Sequence, residues 1–195
     1  MRLSALIPTT GRRPALLAQV LHALHEQFRP DELQVLMVSG LSWGAGLNEL
    51  AKHATGEYWA CMCDDTVPHP GWLEAGVSML AGNVQPSSRY LHPDGSPLRP
   101  GTDDAPHGSN VAWCRSFLLT RYLYGQVGPF IDATWYADID YSERLIRYGM
   151  PILACDGYSF THLDGDRDWL TGEEAARQLF EYEESHRRQG IEVFR

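Results

Sequence analysis

The sequence predicts an α/β fold in which a mostly parallel central sheet carries helices on both faces. Apolar segments alternate with amphipathic ones through residues 1–82, in the order strand, helix, strand, helix, strand, helix. The apolar segments are continuous and do not alternate with polar residues, which is typical of parallel strands buried on both faces. Ligands of such sheets bind beyond the carboxyl ends of the strands. The loops at that edge are therefore the first candidates for a functional site.

The first strand is predicted at residues 3–7, an apolar run that Pro8 ends. Residues 9–13 form a loop, and Pro14 suits the first turn of a helix because the N–H that proline lacks would be unpaired there in any case. Leucine and valine then recur at helical spacing as far as Phe28, which predicts the first helix.

The second strand is predicted at residues 33–38 and the second helix at 46–54. A third strand is predicted at residues 58–63, because the run Y-W-A-C-M-C is apolar throughout and Pro68 prevents it from continuing. A helix at residues 72–80 completes this half of the chain.

The second half is less regular. Residues 83–108 are rich in Pro, Gly, Ser and Asp, which predicts a long functional loop. The elements predicted after it are a strand at 110–114, helices at 116–124 and 137–148, a core strand at 151–155 and a solvated helix from 171 to about 189. No internal repeat or domain boundary is evident, so residues 1–195 are expected to form one domain.

Charge and composition exclude several classes of protein. The net charge is −9 and the pI about 5.3, so no general nucleic-acid-binding surface is expected. Lys52 is the only lysine, which argues against a Walker-type or Schiff-base lysine but leaves arginine for phosphate contacts.

The cysteines and the N-terminus indicate a cytoplasmic protein. Cys61, Cys63, Cys114 and Cys155 show no zinc-type spacing and are expected to be reduced. The N-terminus lacks the apolar region of a signal peptide, and no apolar run approaches the ~20 residues of a membrane span.

Asp64 and Asp65 directly follow the third predicted strand. Two ionised carboxylates beside a core are costly unless a cation compensates them. Oxygen ligands suit Mg²⁺ or Mn²⁺, so a divalent cation with a phosphorylated ligand would satisfy the pair. The alternative is a turn in which acidic residues cap the backbone.

Several segments, taken in order over residues 3–163, resemble the GT-A-fold, family 2 glycosyltransferases. They are I-P-T-T-G-R at 7–12, G-L-N at 46–48, A-T-G-E-Y at 54–58, the Asp64-Asp65 pair with P-H-P-G-W-L at 68–73, V-G-P-F-I-D at 127–132, A-D-I-D-Y at 137–141 and His162. The resemblance implies a single GT-A, Rossmann-like domain. Its nucleotide-binding half would span about 1–82, its acceptor and catalytic half about 83–170 and its C-terminal helix about 171–190.

The resemblance also implies a reaction, the metal-dependent transfer of a sugar from a nucleotide-diphosphate sugar to an acceptor hydroxyl. Asp65 and His162 would hold Mn²⁺ or Mg²⁺, and Asp64 would reach the donor ribose or the water shell of the metal. Asp138 would be the general base of an inverting transfer. Donor-binding roles fall on Pro8, Thr9, Arg12, Ser39, Asn48 and Asp64.

Several of the acidic and histidine candidates also have a purely structural interpretation. Asp138 and Asp140 both lie in the first turn of a helix, where carboxylates favour the helix dipole, and physics alone does not rank them as bases. His162 suits a surface loop equally well. Asp164 and Asp166 are rival metal ligands, although a Gly-Asp turn would account for them too.

Basic and aromatic residues near the presumed site have two interpretations as well. Arg12 and Arg13 form either a phosphate clamp or a solvated turn. Trp43 and Trp135 flank the presumed cleft and could offer apolar faces to a base or sugar. His69 is expected to face solvent.

The chain departs from the family pattern at Ser39, Cys63 and Ala137, where relatives carry acidic residues. These departures support a second hypothesis, a non-catalytic relative that binds a sugar nucleotide or glycan. A nucleotidyltransferase ranks last, because residues 6–13 lack the expected Gly-rich loop with Arg and Lys. The acceptor stays open between a glycan, a lipid, a protein and a modified nucleobase.

Overall fold

The structure is a computed structural model that describes residues 1–96, 116–134 and 136–163, together with 180, 182–184 and 187. The predicted strand at 110–114, Trp135, Asp164, Asp166 and most of the predicted C-terminal helix lie outside these residues. The described elements, in chain order, are β1 (Leu3–Thr9), α1 (Pro14–Gln27), β2 (Leu33–Ser39), α2 (Trp43–Ala51), β3 (Tyr58–Cys61), β4 (Thr66–Pro68), α3 (Trp72–Ala81), β5 (Gln85–Leu91), β6 (Phe117–Thr120), α4 (Arg121–Val127), α5 (Ala137–Arg147) and β7 (Ile152–His162).

The described strands form two mixed sheets. The larger sheet has the order β2-β1-β3-β6, in which β1 runs parallel to β2 and β3, whereas β6 runs antiparallel to β3. The smaller sheet has the order β4-β7-β5, with β4 antiparallel and β5 parallel to β7. The prediction of one mostly parallel sheet therefore holds for β1, β2 and β3 only.

Apolar side chains cover both faces of the larger sheet. Successive strand residues point to opposite faces, so Trp59 and Cys61 belong to a core with α2, α4 and α5, whereas Ala60 and Met62 belong to a second core with α1, α3 and β7. Continuous apolar strands are the consequence, as the sequence predicted. None of the helices that the structure describes has the length and apolarity to cross a bilayer.

The prediction of a helix at residues 116–124 was wrong. Residues 117–120 form strand β6, whose Phe117 and Leu118 are fully buried on opposite faces of the sheet. The helix starts only after Thr120, whose Oγ1 accepts a hydrogen bond from the N–H of Leu123 at 3.1 Å. Pairing with β3 overrides the local helical preference of the leucines.

Other boundaries also differ from the predictions. The predicted loop at 83–108 contains β5, and the predicted strand at 151–155 extends to His162 as β7. Residues 66–68 form β4, because Pro68 can end an edge strand even though it cannot sit inside a sheet. Helix α2 starts three residues early, because the Ser42 hydroxyl accepts from the N–H of Ala45 at 3.1 Å.

Candidate functional site

Three loops meet at the carboxyl edge of the larger sheet, because β1, β2 and β3 are parallel there. Thr9 ends β1 in register with Ser39, the last residue of β2. The Thr9 hydroxyl donates a hydrogen bond of 2.6 Å to Asp64 Oδ2, just beyond the end of β3. The loops after β1 and β3 therefore meet in a direct contact between side chains, and the register of β1 with β2 places Ser39 beside Thr9.

The chain turns sharply at residues 63–66, which directs two adjacent carboxylates to one place. The carbonyl of Cys63 accepts from both the N–H and the hydroxyl of Thr66, at 3.4 and 3.1 Å. Asp64 and Asp65 lie inside this turn and are 1% and 3% exposed. A regular strand would have pointed the two side chains to opposite faces.

Arg13 is the positive charge that accompanies the two carboxylates. One guanidinium nitrogen, Nη2, pairs with Asp64 Oδ1, and the other, Nη1, pairs with Asp65 Oδ2. Sequence reasoning expected a cation here but favoured a metal ion, and it placed Arg12 in the donor site. Arg12 is exposed, whereas Arg13 is half-buried. The cost of burying two carboxylates predicts a cationic partner, but it does not distinguish Arg13 from the adjacent Arg12.

His162 lies beside Asp65 because β4 and β7 are paired. Thr66 faces His162 in the antiparallel register, and the N–H of Leu163 donates to the Asp65 carbonyl at 2.9 Å. His162 Nε2 stands 3.4 Å from Asp65 Oδ2. The ring is only 6% exposed at the end of a strand, so the interpretation as a surface-loop histidine is wrong.

The surroundings of Asp65 favour its ionised form. Burial by itself raises the pKa of this carboxyl, but the hydrogen bonds and charges of His162 and Arg13 outweigh burial and hold the pKa below its ordinary value. Asp65 is therefore a carboxylate at neutral pH, as a ligand for a hard cation must be.

Two polar atoms of this cluster, Asp65 Oδ1 and His162 Nδ1, are buried and find no hydrogen-bond partner among the residues that the structure describes. An unpaired buried polar atom costs about 1–3 kcal/mol, so such atoms point to a missing ligand. An oxygen and an imidazole suit a divalent cation such as Mn²⁺. Within residues 1–96, 116–134 and 136–163, no three His, Cys, Asp or Glu side chains form a complete metal cage. A cation here would need further ligands from its substrate or from water.

Asn48 ties helix α2 to the segment that leads into α5. Its Nδ2 donates to the carbonyl of Phe130 at 2.8 Å, and its Oδ1 accepts from the N–H of Phe130 and the hydroxyl of Tyr124, both at 2.9 Å. Gly44 permits the same approach, because a Cβ there would lie 1.9 Å from the Ile131 carbonyl oxygen. These contacts hold residues 130 and 131 against α2, and the donor-binding role of Asn48 stays a prediction.

Pro8 and Ser39 complete the predicted donor-binding set. Pro8 is buried near the end of β1 against Gly46, where an added Cβ would stand 2.9 Å from the Pro8 Cβ. Ser39 is exposed at the same edge of the sheet. Both residues therefore lie at the carboxyl edge beside Thr9, and their contact with a nucleotide stays a prediction.

The structure distinguishes the two carboxylates of α5, which sequence reasoning could not rank. Asp140 is fully buried and forms an ion pair of 2.7 Å with Arg144. Asp138 is half-buried in the first turn, two residues after Tyr136, which has a positive φ of 65°. The buried Asp140–Arg144 ion pair is thus a second polar cluster, located on α5.

Aromatic residues pack around α5 and α2. Tyr182 stacks on Tyr136 with ring centroids 5.1 Å apart and donates to Glu143, so the described part of the C-terminal segment packs on the start of α5. Trp43 packs edge-on against Phe130 at 5.5 Å, half-buried in the core under α2. Whether Trp43 presents a face to a ligand stays a prediction.

Comparison with known proteins supports the fold. No protein-family model matches the chain, and no curated protein matches its sequence. The crystal structure of GalNAc-T7 with UDP, GalNAc and Mn²⁺ is similar over 94% of this chain, with a TM-score of 0.68 and 10% sequence identity. The chain spans about half of that protein, 48% of its length. The mixed α/β architecture therefore resembles a GT-A glycosyltransferase domain.

His69 holds β7 against the turn that follows β4, close to the Asp65–His162 pair. Its Nε2 lies 2.7 Å from the Thr161 hydroxyl, and its Nδ1 lies 3.2 Å from the Ser159 hydroxyl. The expectation that His69 faces solvent was therefore wrong. Burial lowers the pKa of this imidazole, so the folded chain favours the neutral ring.

We expect His69→Asn to reduce the loss of free energy of unfolding that the wild type shows as the pH falls below about 6.5. Above the unfolded pKa of about 6.5 the ring is neutral in both states. As the pH falls below that value, the unfolded chain binds the proton more readily than the folded chain, so the free energy of unfolding decreases. The loss reaches its full size, and then stays constant, once the pH is below the lowered folded pKa. Urea unfolding between about pH 5 and pH 8 measures the slope. Equal slopes in the wild type and the variant would contradict this assignment.

Proposed function

We propose that the chain is a metal-dependent, family 2-like glycosyltransferase that moves a sugar from a nucleotide-diphosphate sugar to an acceptor hydroxyl. One observation carries the proposal: on a GT-A-like fold, Asp65 and His162 meet at the carboxyl edge of the sheet, and each has a buried atom without a partner. The similar structure of GalNAc-T7 contains UDP, GalNAc and Mn²⁺, which supports the same class of ligands here.

Asp65 and His162 are the residues that would hold Mn²⁺ or Mg²⁺. When bound, the divalent cation supplies positive charge that stabilises the departing nucleoside diphosphate. Asp64 lies beside them, oriented by the hydroxyl of Thr9. Pro8, Thr9 and Ser39 line the edge at which the nucleotide would bind, and the few protein ligands leave coordination positions for phosphate oxygens.

Asp138 is the general base in this proposal. The acceptor oxygen attacks the anomeric carbon as the bond to the diphosphate breaks, and the proton of the acceptor hydroxyl passes to the Asp138 carboxylate. A single displacement of this kind inverts the anomeric centre. Asp138 suits the role better than Asp140 because Asp140 is already buried in an ion pair with Arg144.

A second candidate is a relative that binds a sugar nucleotide or glycan without transferring it. Arg13 pairs with both Asp64 and Asp65 and compensates part of their charge without any metal. Ser39, Cys63 and Ala137 stand where the family pattern has acidic residues. Such a protein would bind the donor but would release neither nucleotide nor sugar from it. Product analysis on the incubated donor separates the two candidates.

We expect a nucleoside diphosphate to stabilise the chain only together with Mn²⁺ or Mg²⁺. At a ligand concentration of 100 times Kd the gain is about 2.7 kcal/mol, or roughly 5–10 °C in Tm for a chain of this size. Thermal unfolding with UDP, GDP, ADP, CDP and dTDP, with and without Mn²⁺, measures it. Asp65→Asn should abolish the rise in Tm that the nucleotide causes in the presence of Mn²⁺, whereas Asp31→Asn, at an exposed position, should retain that rise. A panel with no shift in the wild type would refute the proposal.

We expect Asp138→Asn to bind donor and metal normally but to lower the transfer rate about 10²- to 10⁴-fold, the usual contribution of a general base. The neighbouring Asp140→Asn is the contrast, because it breaks the buried ion pair with Arg144 and should lower the free energy of unfolding by about 3 kcal/mol. Transfer rates and urea unfolding measure the two effects. Full activity in Asp138→Asn would remove that residue from the base role.

A further inference from the structure

Arg13 uses the carboxylate oxygens that a divalent cation would need. Asp64 Oδ1 and Asp65 Oδ2 both pair with its guanidinium, and Asp64 Oδ2 accepts from Thr9. Among the residues that the structure describes, Asp65 Oδ1 is the one of these four carboxylate oxygens that finds no hydrogen-bond partner. A cation that binds through this oxygen and His162 would therefore stand beside a guanidinium of the same sign. Like charges at short range repel strongly in a buried site.

The position of Arg13 in the chain allows its side chain to adopt another conformation. It immediately precedes α1, and its side chain is 22% exposed, in contrast to the 2% and 4% of Asp64 and Asp65. The acidic residues belong to the turn after β3, whereas Arg13 belongs to the loop after β1. Either partner can therefore change its contacts without unfolding a strand.

The guanidinium already shows the geometry that phosphate recognition requires. Two of its nitrogens contact two oxygens from different carboxylates, and the same fork can contact two oxygens of a phosphate group. The N-terminus of the 14-residue helix α1 follows at once and contributes the partial positive charge of its dipole. Its N–H groups are mostly in use, because Pro14 has none and those of Leu16 and Leu17 donate to the Arg13 carbonyl. A diphosphate bound at this edge would lie within the reach of both the guanidinium and this dipole.

We propose that Arg13 binds the diphosphate of the donor, that its ion pairs with Asp64 and Asp65 occupy it until a divalent cation binds, and that the cation displaces it from those carboxylates. This inference rests on the proposed function. Without the cation, Arg13 compensates the acidic pair, and an incoming diphosphate meets two carboxylates. With the cation bound, its positive charge compensates the two carboxylates in place of Arg13. The Arg13 guanidinium is then available to bind the phosphate oxygens. Cation and nucleotide then bind cooperatively, each raising the affinity of the other.

Arg13→Gln should change two affinities in opposite directions. Without nucleotide, the variant should bind Mn²⁺ about tenfold more tightly than the wild type, because its competitor is gone. The diphosphate to use is the one of the five that stabilises the wild type most. With saturating Mn²⁺, the variant should bind this diphosphate about tenfold more weakly than the wild type does. The electron paramagnetic resonance of free Mn²⁺ measures the first affinity, and calorimetry measures the second.

Two further variants control for charge and folding. Arg29→Gln removes the same charge from the exposed residue before β2, at the opposite edge of the sheet, and should change neither affinity. Arg13→Lys keeps the charge but loses the two-pronged contact, so both of its changes should have the same signs as those of Arg13→Gln and be smaller. Circular dichroism during thermal unfolding verifies that each variant folds, and Arg13→Lys decides the question if Arg13→Gln does not fold.

The outcomes separate this inference from the proposed function. Tighter Mn²⁺ binding with weaker diphosphate binding supports the inference. If the wild type binds both ligands and the variants bind Mn²⁺ no more tightly, or bind the diphosphate as well as the wild type does, the inference is overturned and the proposed function stands. If the wild type and all variants bind neither Mn²⁺ nor any of the five diphosphates, both are overturned.

Discussion

The structure depends on how two adjacent, buried carboxylates are neutralised at the end of β3. Asp64 and Asp65 lie where the chain leaves the core, and both pair with Arg13 while His162 stands 3.4 Å from Asp65. Without a compensating cation, the free-energy cost of burying these two charges would exceed the net stability of a typical domain. The partners come from the end of β1, the loop after it and the end of β7, and this requirement brings those segments to the turn after β3.

The two sheets give this cluster its shape. The larger sheet delivers Thr9, Ser39 and the acidic pair to one edge because β1, β2 and β3 are parallel. The smaller sheet delivers His162, because β4 begins one residue after Asp65 and pairs antiparallel with β7. A break between sheets thus places a histidine against a carboxylate almost a hundred residues away in sequence. Asn48 and Gly44 hold residues 130–133, the segment before α5, against helix α2.

Sequence reasoning succeeded where local pattern and tertiary structure agree. The alternation from β1 to α3 was predictable because its apolar runs, Pro14 and the acidic turn all indicate the same elements. It failed for β5 and β6, because the polar run Q-P-S-S-R and the helix-forming leucines of β6 become strands only through pairing with distant partners. Likewise, no local signal separates Arg12 from Arg13, since only the three-dimensional position of the turn selects the guanidinium that reaches it.

Coordination of a divalent cation by His162 is the most direct test of this account. Pulsed electron paramagnetic resonance of the chain with Mn²⁺ and a stabilising nucleoside diphosphate detects a nitrogen nucleus bonded to the metal. We predict the nitrogen coupling of an imidazole in the wild type and its loss in His162→Gln, with the phosphorus coupling of the diphosphate present in the wild type. A Mn²⁺ signal without nitrogen coupling, or one that persists unchanged in His162→Gln, would contradict the account.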